Sequence, residues 1–395
     1  MKNRIIILRY GLQKRTGDPL ASPKFGSLDT GSPGLRIDYE ENPQRNVLNA
    51  LSRDQSVLDI ATAIPMKLIE PLAGSASAEP KQGKATWGVT AVGALGSPYN
   101  GAGITIAVLD TGIDSTHAAF SGVRLEERDF TGSGNGDHDG HGTHCAGTIF
   151  GRAIDGRRIG VAPGVERALI GKVIGGPSGG TSDVLIEAVL WAHGKGATVV
   201  SMSLGLDFPG FVEQLVQQEG MRIPQATSIA LEAYGANVRL FERLTSFLRS
   251  DLNHPVVIVA AAGNESGREQ APPFEINVAP PAASPGIVAV AALARGKRGM
   301  TVAPFSNARP TISAPGVDIL SARSGGGTRT LNGTSMAAPH VAGVAALWAE
   351  NLKQHRSLTS ELLHARLIAS GSLRNFAGTK DALDVGSGMV QAPSE

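Results

Sequence analysis

The chain has 395 residues, of which 42% are hydrophobic and 5% aromatic, and its formal net charge is +1. That size and apolar content supply a large core and room for two or three domains, while the balanced charge gives no electrostatic case for nucleic acid or an anionic membrane surface. Fifty glycines suit tight turns and close backbone approach, and a single cysteine, Cys145, excludes an intramolecular disulfide.

At the N-terminus the apolar run Ile5–Leu8 is closed by Arg9 and is too short for a signal-peptide core. No other stretch approaches the roughly 20 apolar residues that span a bilayer. The expectation is a soluble protein made without a leader, with the cytoplasm favoured and secretion by another route left open. Residues 1–80 read as a small α+β module. Arg4 to Tyr10 and Leu35 to Tyr39 are expected strands, Gln44 to Ala63 a mostly helical stretch and Met66 to Pro71 a last strand. Thr16 to Gly34, dense in Gly, Pro and Ser, reads as a mobile loop, and Ala73 to Gly83 as an exposed linker.

Residues 81–395 form the second expected domain. Short apolar strands at Ile104–Leu109, Ala168–Ile174, Thr198–Met202, Val256–Ala261 and Ile287–Ala291 alternate with helical runs at Ser182–His193 and Met336–Glu350. Continuous apolar strands separated by helices predict a doubly wound α/β fold, a mostly parallel sheet with helices on both faces.

Such sheets place ligand chemistry beyond the carboxyl ends of their strands. Asp110 follows the first strand, where it serves as a turn residue or a functional acid. Asp139–Gly147 sets His141 and His144 among small residues at a helix start; no Cys, Glu or His-Glu-x-x-His pattern accompanies them as a zinc site would require. Asn264 follows the strand ending at Ala261, and its amide holds a turn or donates to a developing negative charge. In Leu331–Leu347, Ser335 stands at a helix start, where it acts as a cap or as a nucleophile beside unpaired backbone N–H groups. Together the four residues supply the acid, base, oxyanion donor and nucleophile of acyl transfer.

Asp110-Thr111-Gly112, His141-Gly142-Thr143-His144 and Gly333-Thr334-Ser335-Met336-Ala337, in that order and with 141 − 110 = 31 between acid and base, resemble the motifs of subtilisin-like (subtilase) serine endopeptidases. The likeness covers roughly Thr86 to Pro393. It implies Ser335 as nucleophile, His141 as general base, Asp110 as its orienting acid, and Asn264 with the Ser335 N–H as oxyanion hole. It implies an extended polypeptide substrate between Ser178-Gly179-Gly180 and Ser203-Leu204-Gly205. The primary pocket would lie between the latter and Ala262-Gly263, with Ala279 near its floor, and take apolar or aromatic side chains.

Measured against that family, the loop between Gly147 and Gly160 lacks the Asn-rich calcium-binding insertion. Asp155 alone cannot supply the roughly six to eight oxygens Ca²⁺ requires. No cofactor is expected for the chemistry, and a structural calcium site is left open. The span Leu206–Pro255 is enlarged. Tyr234, Val238, Phe241, Leu244 and Leu248 mark a crossover helix, and Asp207–Ile223 walls the cleft, contacts the N-terminal module, forms a dimer surface or simply elaborates the surface. Cys145 reads as a small buried residue. The resemblance further implies that the N-terminal module is a propeptide that inhibits its own chain and is cut between about Leu72 and Lys84; a permanent accessory domain is the alternative. An active endopeptidase is the expected function, against a catalytically silent peptide-binding relative.

Overall fold

The structure is a computed structural model and describes residues 4–10, 35–73, 83–175, 179–377 and 380–394. The expected loop at 16–34 and the middle of the expected linker, 74–82, lie outside these residues, as does Ser178.

Apolar runs rich in valine, isoleucine and alanine build the centre of the molecule. An eight-stranded sheet runs in the order Gly299–Val302, Ile287–Gly296, Val257–Ala261, Val199–Met202, Thr105–Asp110, Arg167–Lys172 and Arg124–Asp129, with Ile312–Pro315 paired to Ile287–Gly296. Every pairing is parallel except the hairpin Ile287–Gly296/Gly299–Val302. Alternate residues divide between two cores, as the two-residue period of a strand requires. Ile106, Val108, Val199, Val257 and Val259 pack under helices His141–Phe150 and Thr334–Gln354. Ala107, Leu109, Val200, Ile258 and Ala260 pack under helices Ser182–Gly194 and Ile223–Arg249. The doubly wound α/β expectation is borne out.

Arg4–Tyr10 is the central strand of a separate antiparallel sheet, between Leu35–Glu41 and Val57–Thr62. The helical reading of Gln44–Ala63 is corrected. Only Arg45–Leu51 is helical, and after a turn at residues 52–55 the chain becomes the strand Val57–Thr62. Val57 and Ile60 suit a pleated surface, and antiparallel pairing to Ile5–Arg9 decides the conformation. One face of this sheet packs on its own helix through Ile5, Ile7 and Leu51. The other face, with Ile6, Leu8, Leu35 and Ile37, belongs to the same core as helices Ser182–Gly194 and Ile223–Arg249. Arg4 reinforces the join by pairing its guanidinium with the buried Asp183 at 2.7 Å.

Helix Phe208–Gln217, capped by the Asp207 side chain, fills the enlarged span ahead of the 27-residue helix Ile223–Arg249. It lies beside the groove, where Asp207 N donates to Pro65 O at 2.8 Å. At the other end of the chain, the tail is stitched to residues 92–97: Ala392 N donates to Val92 O, and Ser97 Oγ to Pro393 O. Among the described residues no helix is long and apolar enough to cross a membrane.

Candidate active site

Asp110 is the last residue of strand Thr105–Asp110, and His141 is the first residue of helix His141–Phe150. Glycines let the two loops approach. Gly140 caps the helix at φ 87°, and a side-chain carbon at Gly142 would meet Gly112 O at 2.1 Å. Asp137 ties the pieces together, because its Oδ1 accepts from Thr111 Oγ1 and Gly140 N while its Oδ2 accepts from Thr143 N and Oγ1. The result is a fully buried contact in which His141 Nδ1 donates to Asp110 Oδ1 at 2.7 Å. That tautomer leaves Nε2 as the acceptor nitrogen, and it has no hydrogen-bond partner among the described residues. Burial disfavours the imidazolium, but the adjacent Asp110 carboxylate outweighs it and holds the His141 pKa well above the ordinary 6.5.

Ser335 is the second residue of helix Thr334–Gln354, so its N–H is one of the first-turn amides that have no acceptor within the helix. Pro339, inside the same helix, has no N–H to offer the Ser335 carbonyl. That carbonyl instead accepts from Ser203 Oγ at 3.2 Å and faces Cys145 Sγ at 3.4 Å. Asn264 Oδ1 accepts from both Thr334 N and Thr334 Oγ1, each at 2.9 Å, which fixes the amide and turns Nδ2 toward the groove.

The groove is filled by the chain itself. Strand Pro65–Leu68 lies antiparallel between Leu204–Leu206 and Gly180–Thr181, pairing Lys67 with Gly205 and Met66 with Gly180. Ile69 N continues the ladder to Ser203 O. Beyond the site Leu72–Ala73 pairs with Leu331–Asn332. Ser335 Oγ donates to Ile69 O at 2.8 Å, and Asn264 Nδ2 donates to the next carbonyl, Glu70 O, at 2.9 Å. The serine hydrogen is thus engaged by the segment, and His141 Nε2 receives no bond from it.

Of the expected groove residues, Gly180 has no room for a side chain, since a carbon there would meet Val173 O at 2.3 Å; at Gly179 it would lie 3.5 Å from Met66 O. Ser203 Oγ donates to Ser335 O, Leu204 pairs with Leu68, and Ala262 and Gly263 lie on the loop carrying Asn264. Ile69 is buried against Gly205, with Pro280 O on the same side. Ala279 lines the neighbouring cavity that holds Lys67.

His144 donates from Nε2 toward Ile319 O and Arg329 O, and burial drives its pKa down to about 3, so it is a neutral structural side chain. Asp110, His141 and Cys145 bring ligand-type atoms within 4.8 Å of one another. The acid and imidazole already satisfy each other, however, and the thiol lies on the Nδ1 side of the ring, 3.8 Å away. Burial raises the Cys145 pKa, which keeps it an inert thiol. In the region of the shortened loop, carbonyl oxygens are engaged by arginines. Arg158 donates to the carbonyls of Gly160 and Val161, and Arg152 to that of Val165.

Asp137, Asn307 and Lys67 carry parts of the site that the motifs did not single out. Asn307 is buried and accepts from Glu265 N and Ser266 N while donating to Ala262 O, which fixes the loop bearing Asn264. For Asp137 a signal existed, an acid shortly before a helix start with Thr143 inside the first turn.

A parallel α/β sheet whose carboxyl edge gathers an acid-paired imidazole, a serine at a helix start and an oriented amide has the make-up of a serine hydrolase. Residues 101–387 match the model of the Subtilase family. The chain is 32% identical over 359 residues to the subtilisin-like serine protease Pen ch 13 of Penicillium rubens, covering 87% of this chain and 77% of that protein. It is 31% identical to an intracellular serine protease of Paenibacillus polymyxa, over 70% of this chain and 76% of the relative, and 31% identical to subtilisin DY of Bacillus licheniformis, over 74% and 90%. The chain belongs to the subtilase family and is a serine endopeptidase.

Proposed function

We propose that Ser335, His141 and Asp110 act as a catalytic triad on peptide bonds. Ser335 Oγ attacks the carbonyl carbon and its proton passes to His141 Nε2. The negative charge formed on the carbonyl oxygen is met by Asn264 Nδ2 and the Ser335 N–H. Nε2 then returns the proton to the leaving amine, and water hydrolyses the acyl-serine with the same base. Every group moved is a side chain or a backbone donor, so no cofactor enters the steps. The observation that carries this reading is the peptide already in place: residues 65–69 are bound as an added strand, the mode in which an extended substrate would be held.

The same observation supports two finer readings. Ile69, buried against Gly205, occupies the pocket before the bond to be cut, which favours apolar residues there. Residues 4–73 behave as an intramolecular inhibitor and a separate module, with the first self-cut at Ile69–Glu70. That lies ahead of the Leu72–Lys84 interval suggested by linker composition, where cutting falls to a second molecule. Labelling with a fluorophosphonate and N-terminal sequencing test the reading. The wild-type chain is expected to label at Ser335 and to release a fragment beginning at Glu70, and Ser335→Ala to do neither. An active wild type that stays intact makes the module a permanent domain, and an unreactive Ser335 removes the peptidase assignment.

A further inference from the structure

We infer that the groove contains an acidic subsite, formed by Asp207 and Glu265, that selects lysine or arginine at the third residue before the cleaved bond. The inference rests on the peptidase reading and on Ile69 as the residue before the cut. Counting back from Ile69, Lys67 is third; it pairs with Gly205, and by the strand's two-residue alternation it faces the same way as Ile69. Its ammonium lies 3.3 Å from Glu265 Oε1 and 3.6 Å from Asp207 Oδ1.

The two carboxylates are held there independently of Lys67. Glu265 follows Asn264, and its Oε2 accepts from the buried Asn307 at 2.8 Å, which leaves Oε1 to face the groove. Asp207 is fixed as the cap of the added helix, with Oδ1 accepting from Gly210 N. Beside Lys67 and Glu265 opens a cavity of about 380 Å³, walled by Phe208, Leu231, Tyr234 and Val278. The Phe208 and Tyr234 rings meet edge to face at 5.7 Å. An apolar wall with an acidic mouth matches a long aliphatic stem ending in a cation. With the segment withdrawn, two neighbouring carboxylates face each other without their cation, so a substrate cation relieves a repulsion as well as forming a pair. This gives the enlarged span a purpose: both Asp207 and the aromatic wall come from residues 207–234.

Two peptides that carry Ile before the cleaved bond, one with Lys and one with Glu at the third position back, are mixed with the full-length chain in one tube. Internal competition yields the ratio of their kcat/KM values whatever fraction of grooves the segment still fills. The Lys peptide is expected to win by about tenfold at low salt, with the margin shrinking as ionic strength rises. In Asp207→Asn/Glu265→Gln, which keeps the helix cap and an oxygen for Asn307, the ratio is expected to fall to within about twofold of one. A wild-type ratio near one, or one untouched by the double substitution, overturns the subsite. A second measurement reads the subsite without peptide cleavage. Lys67→Glu is expected to loosen the segment and speed fluorophosphonate labelling of Ser335 severalfold, while Lys67→Arg labels like wild type; equal rates for the two overturn the proposal. Failure of every chain to label or to cleave either peptide falls instead on the peptidase reading.

Discussion

His141 illustrates how a side chain's surroundings set its working range. As the proposed general base it must be neutral to act, and the Asp110 carboxylate raises its pKa above 6.5. The acid limb of kcat/KM is therefore expected to have its midpoint above 6.5, and Asp110→Asn to move it down; a limb centred well below 6 would show that some other group titrates. Stability runs the opposite way, since a raised folded-state pKa stabilises the protein fully below the unfolded value of 6.5 and loses that contribution as pH rises through the folded pKa. Asn264 offers a cleaner separation of roles. With its Oδ1 held by Thr334, Nδ2 can only donate, and Asn264→Ala is expected to lower kcat by about 10²- to 10³-fold with little change in KM. Retention of wild-type kcat would remove it from the oxyanion site. Asp110, His141, Asn264 and Ser335 were legible because each sits in a short motif at an element end. Asn307 and Lys67 were not, because an isolated Asn or Lys acquires its part only when chain segments far apart in sequence meet.

Among the elements, the buried parallel strands and the long helices were readable because their residues are nearly all apolar or repeat at helical spacing. Arg124–Asp129 escaped notice. Its sequence Arg-Leu-Glu-Glu-Arg-Asp carries one apolar residue, and it is a strand because Arg167–Lys172 pairs along its length at the sheet's edge. The stretch 44–63 was misread for a related reason, a local helical pattern overruled by pairing to Ile5–Arg9. Packing between helices sets its own constraint at Gly88. A methyl group there would come 2.1 Å from Nε2 of the buried His340. Gly88→Ala is expected to cost about 1–3 kcal/mol, read as a fall in Tm of several degrees; an unchanged Tm would show that helices Trp87–Ala91 and Thr334–Gln354 have room to part.

For the whole molecule, the N-terminal segment is held more firmly than it is presented. Ile69 O accepts from Ser335 Oγ and Glu70 O from Asn264 Nδ2, so no single carbonyl engages both. In the proposed self-cut the Ile69 carbonyl must turn toward Asn264 Nδ2 with the strand register kept, and tethering keeps the segment at an effective concentration on the order of mM while it waits. The stitching of residues 92–97 to 392–393 means that the α/β unit begins and closes at one place. Topologically it is a loop with a narrow gap. The unit could equally be cut open at the exposed turn near Gly220 and joined across the gap, which would give the same architecture in a different chain order, free of its tether.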